Sequence, residues 1–147
     1  TGAPDPSTKT DIIHASTVRI GDGAVVVRGA SGTGKSALCL ELLSRGGTLV
    51  ADDRTVIAVR RGKLTAACPP QIAGLIEARG VGLLRVPHVD DVPIRLVVDL
   101  SPDPGPRLPE RSEAILLGWP VKSLCSVWTS HLAPTILLLM TGAEMTE

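Results

Sequence analysis

The eight residues from Gly29 to Ser36 constrain the fold of this chain more than any other stretch of its sequence. They fit the pattern G-x-x-x-x-G-K-[ST]. The apolar run 24–28 before them predicts a strand. Residues 35–45, which carry apolar side chains at helical spacing and lack Gly and Pro, predict a helix that ends at Gly46-Gly47. A strand, a glycine-rich loop and a helix in this order are typical of a phosphate-binding loop.

In such a loop the backbone N–H groups surround phosphate oxygens, and the start of the helix adds the positive end of its dipole. Lys35 is predicted to reach the β- and γ-phosphates, and the Ser36 hydroxyl is predicted to bind Mg²⁺. The residues predicted to bind the nucleotide are therefore Gly29, Ala30, Ser31, Gly32, Thr33, Gly34, Lys35 and Ser36.

The other patterns along the chain mix strands and helices without strict alternation. Strands are predicted at 12–20 and 48–51, and a hairpin at 55–59 and 64–67, with further apolar runs at 81–86 and 94–100. Pro69-Pro70 is predicted to start a helix over 71–79. We therefore expect a single α/β domain over 11–147, with a mixed sheet and flanking helices, after a mobile tail over 1–10.

Two stretches late in the chain differ from this pattern. Residues 101–109 contain four prolines and are predicted to form a surface loop. Residues 123–143 carry no Asp, Glu, Lys or Arg, and a stretch of this length is about what a membrane helix needs. Because Ser, Thr and Pro interrupt that stretch, a buried C-terminal helix or an oligomer contact is the better interpretation.

Composition excludes several classes of function. The chain contains no Phe, Tyr or Asn, whereas bilobal protein kinases need a DFG triplet and a metal-binding Asn. With 15 basic and 15 acidic residues it has no net charge to attract a polyanion, so neither nucleic acid nor a membrane is expected as a partner. Three widely spaced cysteines and an N-terminus without an apolar signal core indicate a cytoplasmic protein.

Two acidic positions compete as partners of the phosphate-binding loop. Asp52 and Asp53 follow the short strand 48–51, and two adjacent carboxylates can divide their roles between a metal and a proton, since mutual repulsion raises the pKa of one. They would lie beside the loop if their strand were the parallel neighbour of strand 24–28. Asp99 ends the apolar run 94–98 and also fits a Walker B carboxylate. A solvated turn is the alternative for the Asp52-Asp53 pair.

Glu77 and Arg79 are a third candidate feature. Two residues apart on a helix they would face different ways, but a helix that ends at Gly80 would let both point at one anion and metal. On the residues alone, a capped helix with solvated charges is an equal alternative.

These elements together resemble the catalytic domain of the bacterial HPr kinase/phosphorylase family. The resemblance covers residues 12–100 and rests on His14, the loop 29–36, the stretch 49–53 and Ile-Glu-Ala-Arg-Gly-Val-Gly at 76–82. It implies a P-loop kinase core of the phosphoenolpyruvate carboxykinase type. It also implies transfer of phosphate from ATP or pyrophosphate to a serine of HPr, the phosphocarrier of the sugar phosphotransferase system, by an Mg²⁺-dependent homo-oligomer.

The resemblance also implies a role for each matching residue. Asp53 is the base toward the acceptor serine and the acid in the reverse reaction, in which phosphate removes the group and pyrophosphate is released. Lys35 holds the transferring phosphate, while Ser36 and Glu77 bind Mg²⁺. His14 contacts phosphate or Asp53, Asp52 supports the metal, and Arg79 belongs to the signature linked to both directions.

The chain departs from the family pattern in two respects. Members usually carry a catalytic basic residue in a C-terminal stretch, but the last Lys or Arg here is Lys122. The N-terminal domain of longer members is not in this sequence, so a short form is expected. Arg107 or Arg111 of a neighbouring subunit is the expected substitute for the missing basic residue.

Two rival functions stay open on the sequence. One is a small-molecule kinase or ATPase that uses Asp99 as its Walker B carboxylate. The other is a nucleotide-sensing module with reduced catalysis. Few aromatic or amide groups are available to contact a base, so in every case we expect the donor to be recognised mainly through its phosphates.

Overall fold

A computed structural model of the chain describes residues 8–30, 32–102 and 111–143, with the side chains of 111 and 112 excepted. The strands are β1 (Lys9–His14), β2 (Ser16–Ile20), β3 (Gly23–Arg28), β4 (Thr48–Ala51), β5 (Arg54–Arg60), β6 (Lys63–Ala67), β7 (Leu75–Ala78), β8 (Gly82–Arg85), β9 (Val92–Leu100), β10 (Arg111–Leu116) and β11 (Trp119–Ser126). The helices are α1 (Lys35–Ser44), α2 (Leu132–Met140) and a 3₁₀ turn at Pro70–Ile72.

Nine of these strands form one mixed sheet. The main path runs β1-β5-β6-β9-β3-β2-β4, and β11, which pairs with β10, joins the far half of β9. Strand β3, which leads into the glycine loop, is parallel to β9 and antiparallel to β2. Strands β7 and β8 make a separate antiparallel pair. The predicted α/β class with a mixed sheet and flanking helices is confirmed.

The core lies on both faces of the sheet. Alternate side chains of β3 point to opposite sides, so that Val25 and Val27 pack with the helices while Ala24 and Val26 pack into a second cluster. Burial on both faces explains why β3 is a continuous apolar run. The cluster that contains Val25 and Val27 also includes Leu38 and Leu42 of α1 and Ile136 of α2. Both helices therefore pack on the same face of the sheet.

The two ends of the sheet approach each other. Strands β1 and β2 are joined by Ala15 alone, yet β1 is one edge of the sheet and β2 lies next to the other edge, β4. The Ala15 N–H donates to the Asp53 carbonyl at 3.1 Å, and its own carbonyl accepts from the Thr55 hydroxyl at 2.9 Å. The sheet therefore curls until the β4–β5 turn meets the β1–β2 junction.

Several predicted elements have different bounds. The predicted strand 12–20 is two strands, and Lys9 and Thr10 of the predicted tail belong to β1, while residues 1–7 lie outside the described part. The predicted helix over 71–79 is wrong: that stretch is a 3₁₀ turn followed by β7. Gly74, at φ 76°, separates the two and carries no Cβ where the His88 ring approaches.

The C-terminal stretch contains both a strand end and a helix. Residues 123–126 complete β11, and α2 buries Leu132, Ala133 and Ile136, so the predicted buried helix is confirmed over part of 123–143. Within the part of the chain that is described, neither helix has the length and apolarity to cross a bilayer. Of the predicted loop 101–109, only Ser101 and Pro102 lie among the described residues, outside any helix or strand.

Candidate active site

The glycine loop lies between the end of β3 and the start of α1. Gly34 precedes the helix at φ 101°, in the left-handed region that favours glycine. Gly29 leaves no room for a side chain, because an added Cβ would lie 2.6 Å from Thr33 Oγ1 and 2.8 Å from the Leu100 carbonyl. The Thr33 hydroxyl donates to the Ala30 carbonyl at 2.6 Å. These contacts set the loop on the end of the sheet and direct the start of α1 toward the cleft.

Lys35 is anchored within the loop. Its Nζ donates to the Gly29 carbonyl at 2.6 Å, across the mouth of the loop. Ser36 follows it on the first turn of α1, and both line a cleft of about 720 Å³. Ser31, the remaining member of the predicted phosphate-binding set, lies outside the described residues.

Asp52 and Asp53 form the turn between β4 and β5 and line the same cleft. They do so although β4 is not the direct neighbour of β3, which was the condition given for this placement. The two strands run in the same direction, but β2 lies between them. Asp53 is at φ 69°, a conformation that Asp adopts more readily than most residues. Both carboxylates line the cleft, and Asp53 is exposed to solvent there, so the turn is solvated and lies at the cleft at the same time.

The two carboxylates have different partners. Asp52 accepts the Ser16 hydroxyl at 2.9 Å through Oδ1 and the Glu77 N–H at 3.0 Å through Oδ2. Asp53 Oδ1 lies 2.7 Å from His14 Nε2. Ser16 also accepts the Asp53 N–H at 3.0 Å and so links the pair. Asp52 is thus held by neutral donors on two oxygens, whereas Asp53 keeps Oδ2 without a partner among the described residues.

Glu77 lies on β7, where sequence periodicity predicted a helix. Glu77 on β7 and Arg79, in the turn directly after that strand, both line the cleft without the helix end that was expected. Ala78, between them, and Ile76, before Glu77, are both buried. The structure therefore brings Glu77 and Arg79 to the same cleft.

The structure gathers most of the predicted site at one place. Among the cleft-lining residues are Lys35 and Ser36 from the loop, Asp52 and Asp53 from the turn, and Glu77 and Arg79 from the small sheet. His14 joins them through Asp53. Sequence reasoning missed Ser16, Arg54 and an apolar side formed by Ile72, Leu75 and Leu83. The available signal for Ser16 was a hydroxyl side chain within a predicted strand, two residues after His14.

Oxygen donors of this kind fit Mg²⁺. The Ser36 hydroxyl and the carboxylates of Glu77 and Asp52 are hard ligands. Among the described residues no three His, Cys, Asp or Glu side chains are close enough to hold a metal by themselves. Such a partial set suits an ion that keeps waters and shares substrate phosphates.

Asp99 lies outside this cleft. It is the penultimate residue of β9, beside Arg28 of β3, and the Arg28 guanidinium donates to both of its oxygens, at 2.8 and 3.1 Å. Arg107 falls outside the described residues, and of Arg111 only the backbone is described.

Cys39 of α1 lies beneath the cleft and is fully buried. Burial, and to a smaller extent Asp52, raises the pKa of its thiol, against which Lys35 acts in the opposite direction. The thiol therefore stays neutral and serves as a small apolar group under the site.

Comparisons with known proteins give a consistent result. The family model of the HPr serine kinase C-terminal domain matches residues 6–99. An HPr kinase/phosphorylase of Burkholderia lata is 37% identical over 125 residues, which is 76% of this chain and 38% of that protein. One from Mycoplasma mycoides is 32% identical over 94 residues, 59% of this chain and 30% of that protein.

A solved structure is also similar over most of its length. The HPr(Ser) kinase/phosphatase of Coxiella burnetii superposes with a TM-score of 0.78 at 26% identity, covering 89% of this chain and 88% of that chain. The curated relatives are much longer, and the chain matches from 25% to 38% of their length.

Proposed function

Since this chain belongs to the HPr serine kinase C-terminal domain family, we propose that it transfers a phosphoryl group from a nucleotide to a serine of an HPr-type phosphocarrier protein. The predicted resemblance to that family is confirmed by the family match. ATP is the proposed donor, with pyrophosphate as a second donor, and Mg²⁺ is the proposed metal.

One observation supports the proposal above the others. Asp53, fixed by His14 at 2.7 Å, lines the same cleft as Lys35 at the start of α1. A transfer site needs a phosphate cradle and a proton acceptor facing one another, because the attacking and leaving oxygens are roughly in line.

The partners of the two carboxylates divide their roles. Asp53 has a free Oδ2 among the described residues and takes the proton of the serine hydroxyl, while His14 holds its other oxygen. The serine oxygen bonds to the γ-phosphorus, the bond from that phosphorus to the β-phosphate oxygen breaks, and the electron pair leaves on ADP. In phosphorolysis, an oxygen of orthophosphate bonds to the phosphorus of phosphoserine and the bond from that phosphorus to the serine oxygen breaks. Protonated Asp53 gives its proton to the departing serine oxygen, and pyrophosphate is the product.

The other groups stabilise charge and position the donor. Lys35 and the N–H groups at the start of α1 hold the phosphates of the donor. Ser36 and Glu77 would hold Mg²⁺ with Asp52 beside them, and the ion would neutralise charge on the phosphate oxygens. The Ser16 hydroxyl and the Glu77 N–H donate to the two oxygens of Asp52, so Asp53 and not Asp52 takes the proton of the acceptor serine.

The rival small-molecule kinase or ATPase that depends on Asp99 is not favoured. Asp99 is held by Arg28 through both oxygens and does not line the cleft. An arginine in that position neutralises the carboxylate and occupies the lone pairs that a metal would need.

A cytoplasmic location and self-association complete the proposal. All three cysteines are free, which suits a reducing compartment. Val81 and Leu83 of the β7–β8 hairpin are 77% and 68% exposed, and large exposed apolar side chains are common where copies of a chain meet.

The test is to incubate the chain with Mg²⁺, ATP and an HPr-type protein and to follow the carrier by intact mass. We expect one added phosphate, located on serine by fragmentation. Asp53→Asn should abolish the modification while nucleotide binding persists, and Asp99→Asn is the matched carboxylate control. No added phosphate beside an active positive control contradicts the proposal and favours a sensing module. Greater damage from Asp99→Asn favours the small-molecule kinase or ATPase.

A further inference from the structure

Arg54 lines the cleft next to Asp53 and has no assigned role. It is the first residue of β5, and Thr55 after it is buried, donating to the Ala15 carbonyl at 2.9 Å. Because side chains alternate along a strand, the burial of Thr55 directs Arg54 to the opposite, cleft side. The turn at Asp52, whose carbonyl accepts the Arg54 N–H at 2.8 Å, fixes the start of the strand.

The Arg54 guanidinium has no ion-pair partner among the described residues, although two aspartates directly precede it. Elsewhere, arginines beside a carboxylate pair with it: Arg28 with Asp99 at 2.8 Å and Arg95 with Asp22 at 3.0 Å. In the cleft, Asp52 is occupied by Ser16 and the Glu77 N–H, and Asp53 by His14. Because Arg54 forms no ion pair with a carboxylate of the described residues, its guanidinium is available for an oxyanion from outside.

The strand pairing places Arg54 next to His14. Strand β5 pairs with β1 and β6, and the Cα partner of Arg54 on β1 is His14. Lys35 enters the same cleft from the phosphate-binding loop, at the start of α1. Arg54 and His14 thus belong to the paired strands β1 and β5 beside Asp53, whereas Lys35 belongs to α1. An acceptor that reacts in line approaches opposite the donor and next to its base, and Arg54 follows the proposed base, Asp53, directly in the chain.

We propose that Arg54 binds the phosphoryl group when it is carried by the acceptor, so that the ligand of this half of the cleft is a phosphate monoester dianion. A guanidinium donates two parallel hydrogen bonds to such a group and stays charged throughout. The inference rests on the proposed function for its direction of transfer, but the binding step can be measured separately.

The experiment uses the whole chain with saturating Mg²⁺ and ADP and titrates O-phosphoserine, or orthophosphate, by calorimetry. Arg54→Gln should weaken phosphoserine binding at least tenfold and leave ADP affinity unchanged. Arg54→Lys should recover part of the loss. Arg60→Gln, at the exposed far end of the same strand, is the control and should bind as the wild type does. Unchanged ADP affinity also shows that each variant is folded.

Three results overturn the proposal: no phosphoserine binding by the wild type, unchanged binding by Arg54→Gln, or an equal loss of ADP binding, which would place Arg54 on the donor side. The two ligands separate the sources of phosphate. Tighter Arg54-dependent binding of phosphoserine supports the acceptor assignment, whereas dependence for orthophosphate alone contradicts it. If Arg54-dependent binding is present but the carrier is never modified, the proposed function fails and this inference stands.

Discussion

His14 Nε2, at the end of β1, lies 2.7 Å from Asp53 Oδ1, in the turn just before β5, the strand that pairs with β1. The two side chains are 56% and 63% exposed, so as an ion pair in water they contribute less than about 1 kcal/mol to stability. The contact orients the carboxylate rather than holding the fold together. Its effect should therefore appear in catalysis.

His14→Ala should lower the rate of carrier phosphorylation about 10- to 100-fold, since one hydrogen bond to a charged group is lost. The free energy of unfolding should change by less than about 1 kcal/mol. Single-turnover rates and urea unfolding measure the two effects, and His131→Ala, an exposed histidine before α2, is the control. A large loss of stability with an unchanged rate would show that His14 is structural.

Glu77→Gln should raise the Mg²⁺ concentration needed for half-maximal activity at least tenfold, because a neutral amide binds a hard cation more weakly than a carboxylate does. Saturating Mg²⁺ should restore much of the rate. Glu113→Gln, at an exposed position on β10, is the matched control. An unchanged Mg²⁺ dependence would remove Glu77 from the metal site.

Gly29→Ala should destabilise the protein by about 1–3 kcal/mol beyond the cost of its positive φ of 154°, because the new Cβ would lie 2.6 Å from Thr33 Oγ1 and 2.8 Å from a backbone carbonyl. Gly32→Ala is the internal comparison. Gly32 lies in the same loop at a φ of 86°, but no heavy atom lies within 4 Å of the new Cβ. It should lose only the cost of a left-handed residue, roughly 1–2 kcal/mol. Equal urea midpoints for the two variants would contradict the steric account.

Trp128 should report nucleotide binding by a change in its fluorescence. Its side chain lies 3.2 Å from the Cβ that Gly34 would carry, and its indole N–H donates to Glu41 of α1 at 3.1 Å. Phosphates at the start of α1 would therefore change its surroundings. Trp119→Phe should keep the signal and Trp128→Phe should remove it; the reverse pattern would place the binding event elsewhere.

Cys68 should react slowly with iodoacetamide at pH 8, well behind exposed Cys125. Burial first, then the charges of Asp90 and Asp52, raise the pKa of the Cys68 thiol to about 11. The neutral thiol is favoured in the fold, so its contribution to stability is complete below about pH 9 and is lost as the pH rises toward 11. Peptide mass spectrometry should show labelling that rises about tenfold per pH unit over that window. Asp90→Asn should speed it, and labelling at the rate of Cys125 at pH 8 would refute the shift.

The sequence predicts much of this site because its parts are local. The glycine loop needs only its own strand, its own helix and a few glycines, and Asp52-Asp53 stays next to a short buried strand wherever that strand pairs. Strand order is set by distant pairing, so the sequence alone could not show that β2 separates β4 from β3.

The mistaken helix over 71–79 has a different origin. Leu75, Ile76 and Ala78 have ordinary helix propensity, and nothing local opposes a helix there except Gly74 and Gly80. The strand is imposed by tertiary contacts: Ile76 inserts into the core, and the Glu77 N–H donates to Asp52, 25 residues away. Propensity carries no information about either contact.

The curl of the sheet has a consequence for how the active site comes into being. The contacts that define it join residues 36 and 39 positions apart, at the seam where the β4–β5 turn meets Ala15. Contacts of high sequence separation are slow to form, since a long loop must be closed before they add stability. A chain still lacking that seam can have its glycine loop and helix α1 in place and yet hold no oriented base. Nucleotide binding should thus appear during refolding before the ability to phosphorylate.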